Sequence, residues 1–336
     1  MSGNLDDFIE LDRTFRDLSI SDEHGDEAKM VRLFTREAST RWADLLAEPR
    51  VILLAEAGSG KTEEIRHICR RQRAEGKPAF FLRIEHVVDD FETSFEEGDL
   101  EEFEAWLKSC DQGWLFLDSV DEARLRAPKD FERAIRRIGR RIERALQRTH
   151  IIITGRTEAW RPETDLILCR TYLSWDASAK APDEVPAPQG EYAVAAEQAA
   201  KRENKHAPFR IVTLEDLHGA RVKTFAIAKG VADIKAFTKA VERAEAWSFT
   251  TRPLDLAETV EFWNDHQRIG SRFDLMTSSI AKRLEERDQD RADARPIAVD
   301  RIREGARLVA AATTLCQEST IRVPDGDKNA LVSDRK

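Results

Sequence analysis

One eight-residue segment limits the possible folds of this chain more than any other feature of the sequence. It reads AEAGSGKT and runs from Ala55 to Thr62. The nearly continuous apolar run RVILLA at 50–55 leads into it, and a helix-like pattern at 62–73 follows it. Apolar runs of this kind suit parallel strands that are buried on both faces. The segment is therefore predicted to be a glycine-rich turn that joins a buried strand to a helix.

The residue types in this turn predict a phosphate-binding loop, or P-loop. Gly58 and Gly60 let backbone N–H groups turn toward phosphate oxygens, and the helix that begins near Lys61 adds the positive end of its dipole. Lys61 is expected to contact the β- and γ-phosphates of a nucleotide, and Thr62 to place its hydroxyl on Mg²⁺. The strict motif begins with glycine where this chain has Ala55, and a glycine-rich turn that binds no phosphate is the alternative. The predicted nucleotide-binding residues of the loop are Ala55, Glu56, Ala57, Gly58, Ser59, Gly60, Lys61 and Thr62.

An acidic segment follows another predicted strand. The sequence WLFLDSVDEARL at 114–125 delivers Asp118 at the carboxyl end of that strand, with Asp121 and Glu122 directly after it. Ligands of open α/β sheets bind at this end of the strands. Asp118 is predicted to hold Mg²⁺ through water, and Asp121 or Glu122 to orient or deprotonate the attacking water. A solvated acidic loop is the alternative interpretation.

A third polar strand end is found in IIITGR at 151–156. The buried strand ends near Thr154, and Arg156 follows it. A cationic group at this position is expected to contact the γ-phosphate, which makes Arg156 the third predicted catalytic residue. A surface or salt-bridged arginine is the alternative.

Strand and helix patterns alternate along the first two thirds of the chain. This order predicts a parallel α/β sheet covered by helices, with the P-loop between its first strand and the helix that follows. The predicted strands are 50–55, 78–84, 114–117, 150–154 and 209–213, and the predicted helices among them are 37–46, 62–73, 100–109 and 131–146. Beyond Leu214 the patterns are helical, at 216–228, 232–246, 254–266, 272–287 and 297–316.

These patterns divide the chain into three predicted parts. An N-terminal arm spans 1–35, a P-loop NTPase core spans 36–213, and a helical lid with the start of a possible winged-helix region spans 214–336. Residues 176–208 contain four prolines and are expected to form a surface insertion in the core.

Composition and net charge limit the kinds of partner that the chain is expected to bind. No apolar run approaches the roughly 20 residues that span a bilayer, and the acidic N-terminus differs from a signal peptide, so a cytoplasmic protein without a membrane partner is expected. The net charge of −9 argues against non-specific binding of nucleic acid by the whole chain.

In this order the P-loop, the Asp118 segment and the Thr154 strand end resemble the NACHT branch of the STAND class of signal-transducing P-loop NTPases. Ser119 contributes much of the resemblance, because the family has a small residue directly after the Mg²⁺ aspartate and an acidic residue two positions later, here Asp121. The segment TRPLDL at 251–256 looks like the proline-containing lid motif of the family. The resemblance covers about residues 36–290.

The resemblance implies a molecular switch that binds ATP or ADP with Mg²⁺, hydrolyses ATP slowly and self-associates on activation. It implies that Pro253 contacts the adenine side of the nucleotide, although a proline at a helix start explains this residue equally well. No histidine of the last helices can be matched to the phosphate-contacting residue of the family's winged helix. Effector and sensor regions usually flank this module, so the chain is expected to be the NTPase part of a longer bacterial protein with a possible role in antiviral defence.

The sequence leaves two competing functions and the role of one basic surface undecided. A nucleotide-binding scaffold that scarcely hydrolyses ATP is one alternative, and a P-loop kinase or nucleic-acid motor is the other. The predicted helix at 131–146 presents arginines away from its apolar face. This pattern suits a surface that binds nucleic acid or an acidic partner. A solvated helix face is the alternative. These arginines are Arg133, Arg136, Arg137, Arg140, Arg141 and Arg144, extended by Arg148.

Overall fold

Seven strands and eleven α-helices make up the part of the chain that the computed structural model describes, which is residues 8–18, 40–118, 120, 129–175, 209–283 and 298–316. The strands are β1 (Phe15–Asp17), β2 (Arg50–Leu54), β3 (Ala79–Arg83), β4 (Phe95–Glu97), β5 (Gly113–Asp118), β6 (Thr149–Gly155) and β7 (Arg210–Leu214). The helices up to β7 are α1 (Trp42–Ala47), α2 (Lys61–Ala74), α3 (Ile84–Val87), α4 (Leu100–Lys108), α5 (Asp130–Arg141) and α6 (Pro162–Tyr172). The later helices are α7 (Ala220–Ala228), α8 (Ile234–Arg243), α9 (Pro253–His266), α10 (Arg272–Arg283) and α11 (Val299–Cys316).

The strands of this described part form one sheet in the order β1-β7-β2-β6-β5-β3-β4. The five central strands are parallel, and β1 and β4 pair antiparallel at the two edges. The five predicted strands and the α/β class are therefore confirmed. Both edge strands were missed, because three residues are too few to show the alternation that marks a strand. Since β6 lies between β2 and β5, the carboxyl ends of these three strands meet at one stretch of the sheet edge.

The apolar run of β2 lies at the centre of the core. Ile52 and Leu54 face one hydrophobic cluster and Val51 and Leu53 face the other, as the two-residue period of a strand requires. Helices α1 and α2 cover the second face, and α4, α5 and α6 cover the first. Burial on both faces explains why the sequence of β2 is continuously apolar after its first residue.

Arg50 is the charged first residue of that strand, and it is fully buried. Its guanidinium donates hydrogen bonds to the backbone carbonyls of Pro49 (2.6 Å), Thr149 (2.5 Å), Leu146 (3.0 Å) and Leu173. Desolvation by burial lowers the pKa of Arg50 to about 9. The carbonyls stabilise the charge at the amino-terminal end of the sheet, opposite the P-loop.

The described part of the N-terminal arm, residues 8–18, adds the edge strand β1 to the sheet. Phe15 is opposite Leu214 of β7 and packs edge-on against the Trp42 ring, with 4.7 Å between the ring centroids. The amide of Leu18 donates to the carbonyl of Ile211 over 2.8 Å. This pairing carries the residues just before β1 to the carboxyl edge of the sheet.

Two further differences from the sequence expectation concern helices. The predicted helix at 131–146 ends as an α-helix at Arg141, and the 3-10 segment Glu143–Arg148 leads into β6. Helix α6 was not predicted, although it has Pro162 at its first position and an acidic first turn, which are signals of a helix start.

The chain divides into two compact units. The first comprises residues 1–234 and 248–257, and the second comprises residues 235–247 and 258–336. The first unit holds the sheet and the first five residues of α9. In the second unit, Phe237 packs edge-on against Trp263 with 5.7 Å between ring centroids. The predicted surface insertion at 176–208 lies outside the described residues. Among the described helices, none is long and apolar enough to cross a membrane.

Candidate nucleotide-binding site

The P-loop joins β2 to α2 and turns on two glycines. Gly58 has φ +76° and Gly60 has φ +86°, a left-handed conformation that residues with a Cβ rarely adopt. Gly60 is the N-cap of α2, and Lys61 and Thr62 are the first two residues of the helix. The first N–H groups of a helix have no partner inside it, so the loop presents donors and a positive dipole end to an anion.

Asp118 is the centre of the polar groups at this edge. It is fully buried at the end of β5. Its Oδ2 accepts a hydrogen bond from the hydroxyl of Thr62 over 2.8 Å, and its Oδ1 accepts one from the hydroxyl of Thr154. The structure thus brings together three strand or helix ends that are far apart in the sequence.

The oxygens of this cluster suit Mg²⁺. A carboxylate and a hydroxyl are hard donors, and Mg²⁺ is usually bound by one or two such groups while phosphate oxygens and waters complete its octahedron. Among the described residues, no group of three or more His, Cys, Asp or Glu side chains could hold a metal ion. If Mg²⁺ binds here, Thr62 and Asp118 are the side chains whose oxygens are placed to hold it.

The end of β6 closes the space between the P-loop and Asp118. The amide of Ala55 donates to the carbonyl of Gly155 over 3.2 Å. A Cβ at Gly155 would be 3.2 Å from the Cβ of Val120, so glycine lets the chain after Asp118 pack closely against β6. Arg156 comes next and is half-buried at the same edge. Asp121 and Glu122, the predicted water-handling residues, lie outside the described residues, as does Ser119.

The start of α9 contacts the P-loop directly. The amide of Leu254 donates to the carbonyl of Gly58 over 3.2 Å. A Cβ at Gly60 would be 3.2 Å from Cγ of Pro253. Arg252 donates to the carboxylate of Glu56 over 2.9 Å, although exposed ion pairs of this kind contribute little to stability. The structure therefore brings Pro253, the first residue of α9, next to the loop.

Arg13 is a site residue that the sequence did not reveal. Its side chain donates to the carbonyl of Ser59 over 3.1 Å and to the carbonyl of Glu215 over 2.8 Å. The residue is almost fully buried, and this burial lowers the pKa of its guanidinium. The segment 8–20 contains two arginines, Arg13 and Arg16, and its local pattern does not distinguish them. Arg13 and Leu254 hold the P-loop backbone from two different segments.

Glu64 is a buried carboxyl group on the first turn of α2. The indole Nε1 of Trp42 donates to its Oε2 over 3.1 Å. Desolvation raises the pKa of Glu64 above its ordinary value of 4.5, and the Trp42 hydrogen bond and the nearby charge of Arg13 oppose this shift. The group connects α1, α2 and the N-terminal arm beside the loop.

A cavity of about 860 Å³ opens beside the P-loop glycines in the first unit. Its apolar walls come from the N-terminal arm, α7 and α9. They include Phe8, Ile9, Leu11, Phe225, Pro253 and Leu254. Charged side chains line the rest of the cavity, and its volume lies within the range of roughly 300–1,000 Å³ that small-molecule sites have.

No protein-family model and no curated protein matches this sequence. Among solved structures, the Walker-type ATPase of Pyrococcus abyssi is similar at 10% identity and a TM-score of 0.39, over 81% of this chain and 72% of that one. The ORC1 protein of Aeropyrum pernix, solved in complex with DNA, is similar at 13% identity and a TM-score of 0.33, over 82% and 68%. AMPPCP-bound DnaA from Aquifex aeolicus is similar at 12% identity and a TM-score of 0.23, over 80% and 84%. The sheet order and the loop geometry of this chain are those of an α/β P-loop NTPase fold.

Proposed function

We propose that this chain binds ATP or ADP with Mg²⁺ at its P-loop, hydrolyses ATP slowly and acts as a switch of the NACHT type of STAND proteins. The observation that carries the proposal is the hydrogen bond between Thr62 and Asp118 beside the P-loop glycines. A phosphate-binding loop and a buried carboxylate in contact with its threonine form a site for a nucleotide and its metal ion.

Each predicted residue has a distinct role in this proposal. Lys61 and the N–H groups of the loop balance phosphate charge, and Thr62 and Asp118 hold Mg²⁺. The bound Mg²⁺ would neutralise charge on the β- and γ-phosphate oxygens. Asp121 or Glu122 orients or deprotonates the attacking water, and Arg156 stabilises charge on the γ-phosphate.

The cavity beside the loop supports the assignment of a nucleoside, not of phosphate alone. The predicted motifs cover only the phosphate and metal end of the ligand. Phe8, Phe225 and Pro253 supply apolar surface next to Gly60 for the remaining end. Pro253 thus keeps the role that the family resemblance implies, together with residues of the N-terminal arm.

Replacement of Asp118 by asparagine tests the metal part of this site. The substitution removes the charge and keeps the size and an oxygen acceptor for Thr62. Calorimetry should show that the variant binds ATP in EDTA as the parent does, and that Mg²⁺ no longer increases the affinity. Thr154→Val is the matched control, because it removes one hydrogen bond to Asp118 and leaves the carboxylate in place. A full Mg²⁺ effect in the Asp118 variant would contradict the assignment.

The contact between α9 and the P-loop supports a switch. A ligand shifts a conformational equilibrium only through contacts that differ between the two states. A γ-phosphate in the loop would change the orientation of the Gly58 carbonyl. The hydrogen bond that this carbonyl accepts from Leu254 would change with it. Helix α9 is continuous from Pro253 to His266, so we expect this change to extend along the lid helices. The conformation of the lid would then control self-association and communication with the effector and sensor regions.

Hydrogen exchange on ADP-bound and ATP-analogue-bound protein tests the switch. Protection should differ between the two forms around 214–283 as well as at 55–62. Lys61→Ala is the control, because a protein that does not hold the nucleotide should show no difference. Changes confined to 55–62 and 118–122 would contradict the switch. Nucleotide binding without phosphate release would favour a scaffold, and hydrolysis stimulated by DNA would favour a motor.

A further inference from the structure

Helix α5 carries a basic surface on the side of the sheet that α5 and α6 cover. The segment from Asp130 to Arg148 holds seven arginines and three carboxylates, in a chain whose net charge is −9. Five of the arginines line one open groove of about 520 Å³, here called the arginine groove. They are Arg133, Arg136, Arg137, Arg140 and Arg141.

The opposite face of α5 fixes this groove to the core. Phe131, Ile135 and Ile138 are buried, and a Cβ at Gly139 would be only 2.5 Å from the carbonyl oxygen of Tyr172. The helix therefore packs against the end of α6 at backbone distance and has no room to turn about its axis. A rigid support of this kind reduces the entropy lost when the arginines bind a ligand.

Neighbouring groups orient several of the guanidinium groups without fully neutralising them. Arg137 donates to the carbonyl of Val88 over 2.8 Å. Arg136 pairs with Glu132 over 2.8 Å and lies 5.3 Å from the centre of the Tyr172 ring. Arg141 pairs with Glu104 over 2.9 Å and lies 4.5 Å from the centre of the Phe91 ring. Carbonyl and ring contacts hold a guanidinium in place without neutralising it, whereas Arg136 and Arg141 each also face one carboxylate.

The two remaining arginines of the groove, Arg133 and Arg140, are both exposed. Arg133 pairs only weakly with Asp130 at 3.3 Å and is 63% exposed. Arg140 is exposed and has no ion pair among the described residues. Exposed ion pairs are weak, so a phosphate can replace the Asp130 carboxylate at Arg133.

We propose that the arginine groove binds the phosphate backbone of a nucleic acid. From Arg133 to Arg141 the helix rises about 12 Å, so the stripe spans several phosphates of one strand and not a single phosphate ion. Only arginines line the groove, so its charged groups are guanidinium groups and its apolar surface is that of their methylene stems. Guanidinium groups also match phosphate oxygens in a bidentate geometry. Contacts to phosphate carry no sequence information, so the proposed binding is independent of base sequence.

Fluorescence anisotropy with a labelled 20-base-pair DNA duplex and a single strand of equal length tests the groove on the full chain. The binding constant of the parent should fall with salt between 50 and 200 mM. Arg133→Gln with Arg140→Gln should weaken binding about tenfold or more at 100 mM salt and reduce the slope of log K against log salt by about 2, roughly one per lost phosphate contact. Arg140→Gln alone should reduce the slope by about 1.

The matched control removes the same charge elsewhere. Arg303→Gln with Arg307→Gln alters two arginines of α11, one half-buried and one exposed, and should leave the slope unchanged. Equal losses in both double variants would overturn the proposal, because net charge alone would then explain binding. Absence of binding by the parent at 50 mM salt would also overturn it. Displacement of the DNA by polyglutamate as effectively as by unlabelled DNA would instead assign the groove to an acidic protein.

Discussion

The amide of Leu254 donates a hydrogen bond to the carbonyl of Gly58, and the N–O distance is 3.2 Å. This bond connects the first turn of α9 to the turn of the P-loop. Both ends are backbone atoms, so the connection depends on the conformation of the loop and not on the identity of the side chains. A change of loop conformation on nucleotide binding would therefore reach α9 directly.

Lys61→Ala should lower the affinity for ATP and ADP by about 100-fold, because the ammonium group is the main cation at the predicted phosphates. Isothermal titration calorimetry in the presence of Mg²⁺ measures this loss. Lys108→Ala is the control, since Lys108 is exposed at the end of α4. Equal affinities of the parent and the Lys61 variant would show that the loop assignment is wrong.

Asp121→Asn with Glu122→Gln should keep nucleotide binding and lower phosphate release by about 10²–10⁴-fold, because the two carboxylates are assigned to the attacking water and not to phosphate. Single-turnover phosphate release and calorimetry on the same sample separate the two effects. Glu101→Gln with Asp111→Asn is the control, because it removes one exposed carboxylate in α4 and one just after it. This variant should change neither nucleotide affinity nor phosphate release. Unchanged release by the first variant would transfer the water-handling role to Asp118.

Gly58→Ala should destabilise the fold more than Gly76→Ala. Both glycines have similar positive φ angles, +76° and +77°, so both substitutions carry a left-handed strain of about 1–2 kcal/mol. A Cβ at Gly76 would meet nothing within 4 Å, whereas at Gly58 it would be 3.0 Å from Cβ of Leu254. The added crowding should cost about 1 kcal/mol or more in urea unfolding. Equal costs would contradict the packing of α9 on the loop.

Glu64→Gln should remove part of the pH dependence of stability. Burial raises the pKa of Glu64 in the folded state, so the folded protein keeps the proton at pH values where the unfolded chain has lost it. The stabilising contribution is complete below pH 4.5 and is lost as the pH rises through the folded pKa. Glutamine has no proton to lose and can still accept from Trp42. Its free energy of unfolding, relative to the parent, should therefore rise from pH 4.5 to pH 8.

Urea unfolding at several pH values measures this difference. Glu63→Gln is the control, because it removes the exposed carboxylate at the preceding position of α2. A difference between parent and Glu64→Gln that does not change with pH would show that Glu64 is ionised equally in the folded and unfolded states.

The amino-acid sequence by itself determined the parts of this protein whose signals are local. The strands around Ile52, Leu117 and Ile153 were predictable because burial on both faces requires apolar residues at every position. The P-loop was predictable because the left-handed turns at Gly58 and Gly60 and the helix start at Lys61 require particular residue types in consecutive positions.

The tertiary structure alone decided which of these segments meet. Strand order places β6 between β2 and β5, and this brings the Thr154 hydroxyl to Asp118. The roles of Arg13 at Ser59 and of Leu254 at Gly58 depend on contacts between segments that are distant in the chain, and no local pattern specifies them. Arg50 was counted within an apolar run, and only the carbonyls gathered around it explain how a cation is stable there. Local residue preferences act within a few positions, whereas these contacts depend on how the whole sheet and its helices pack.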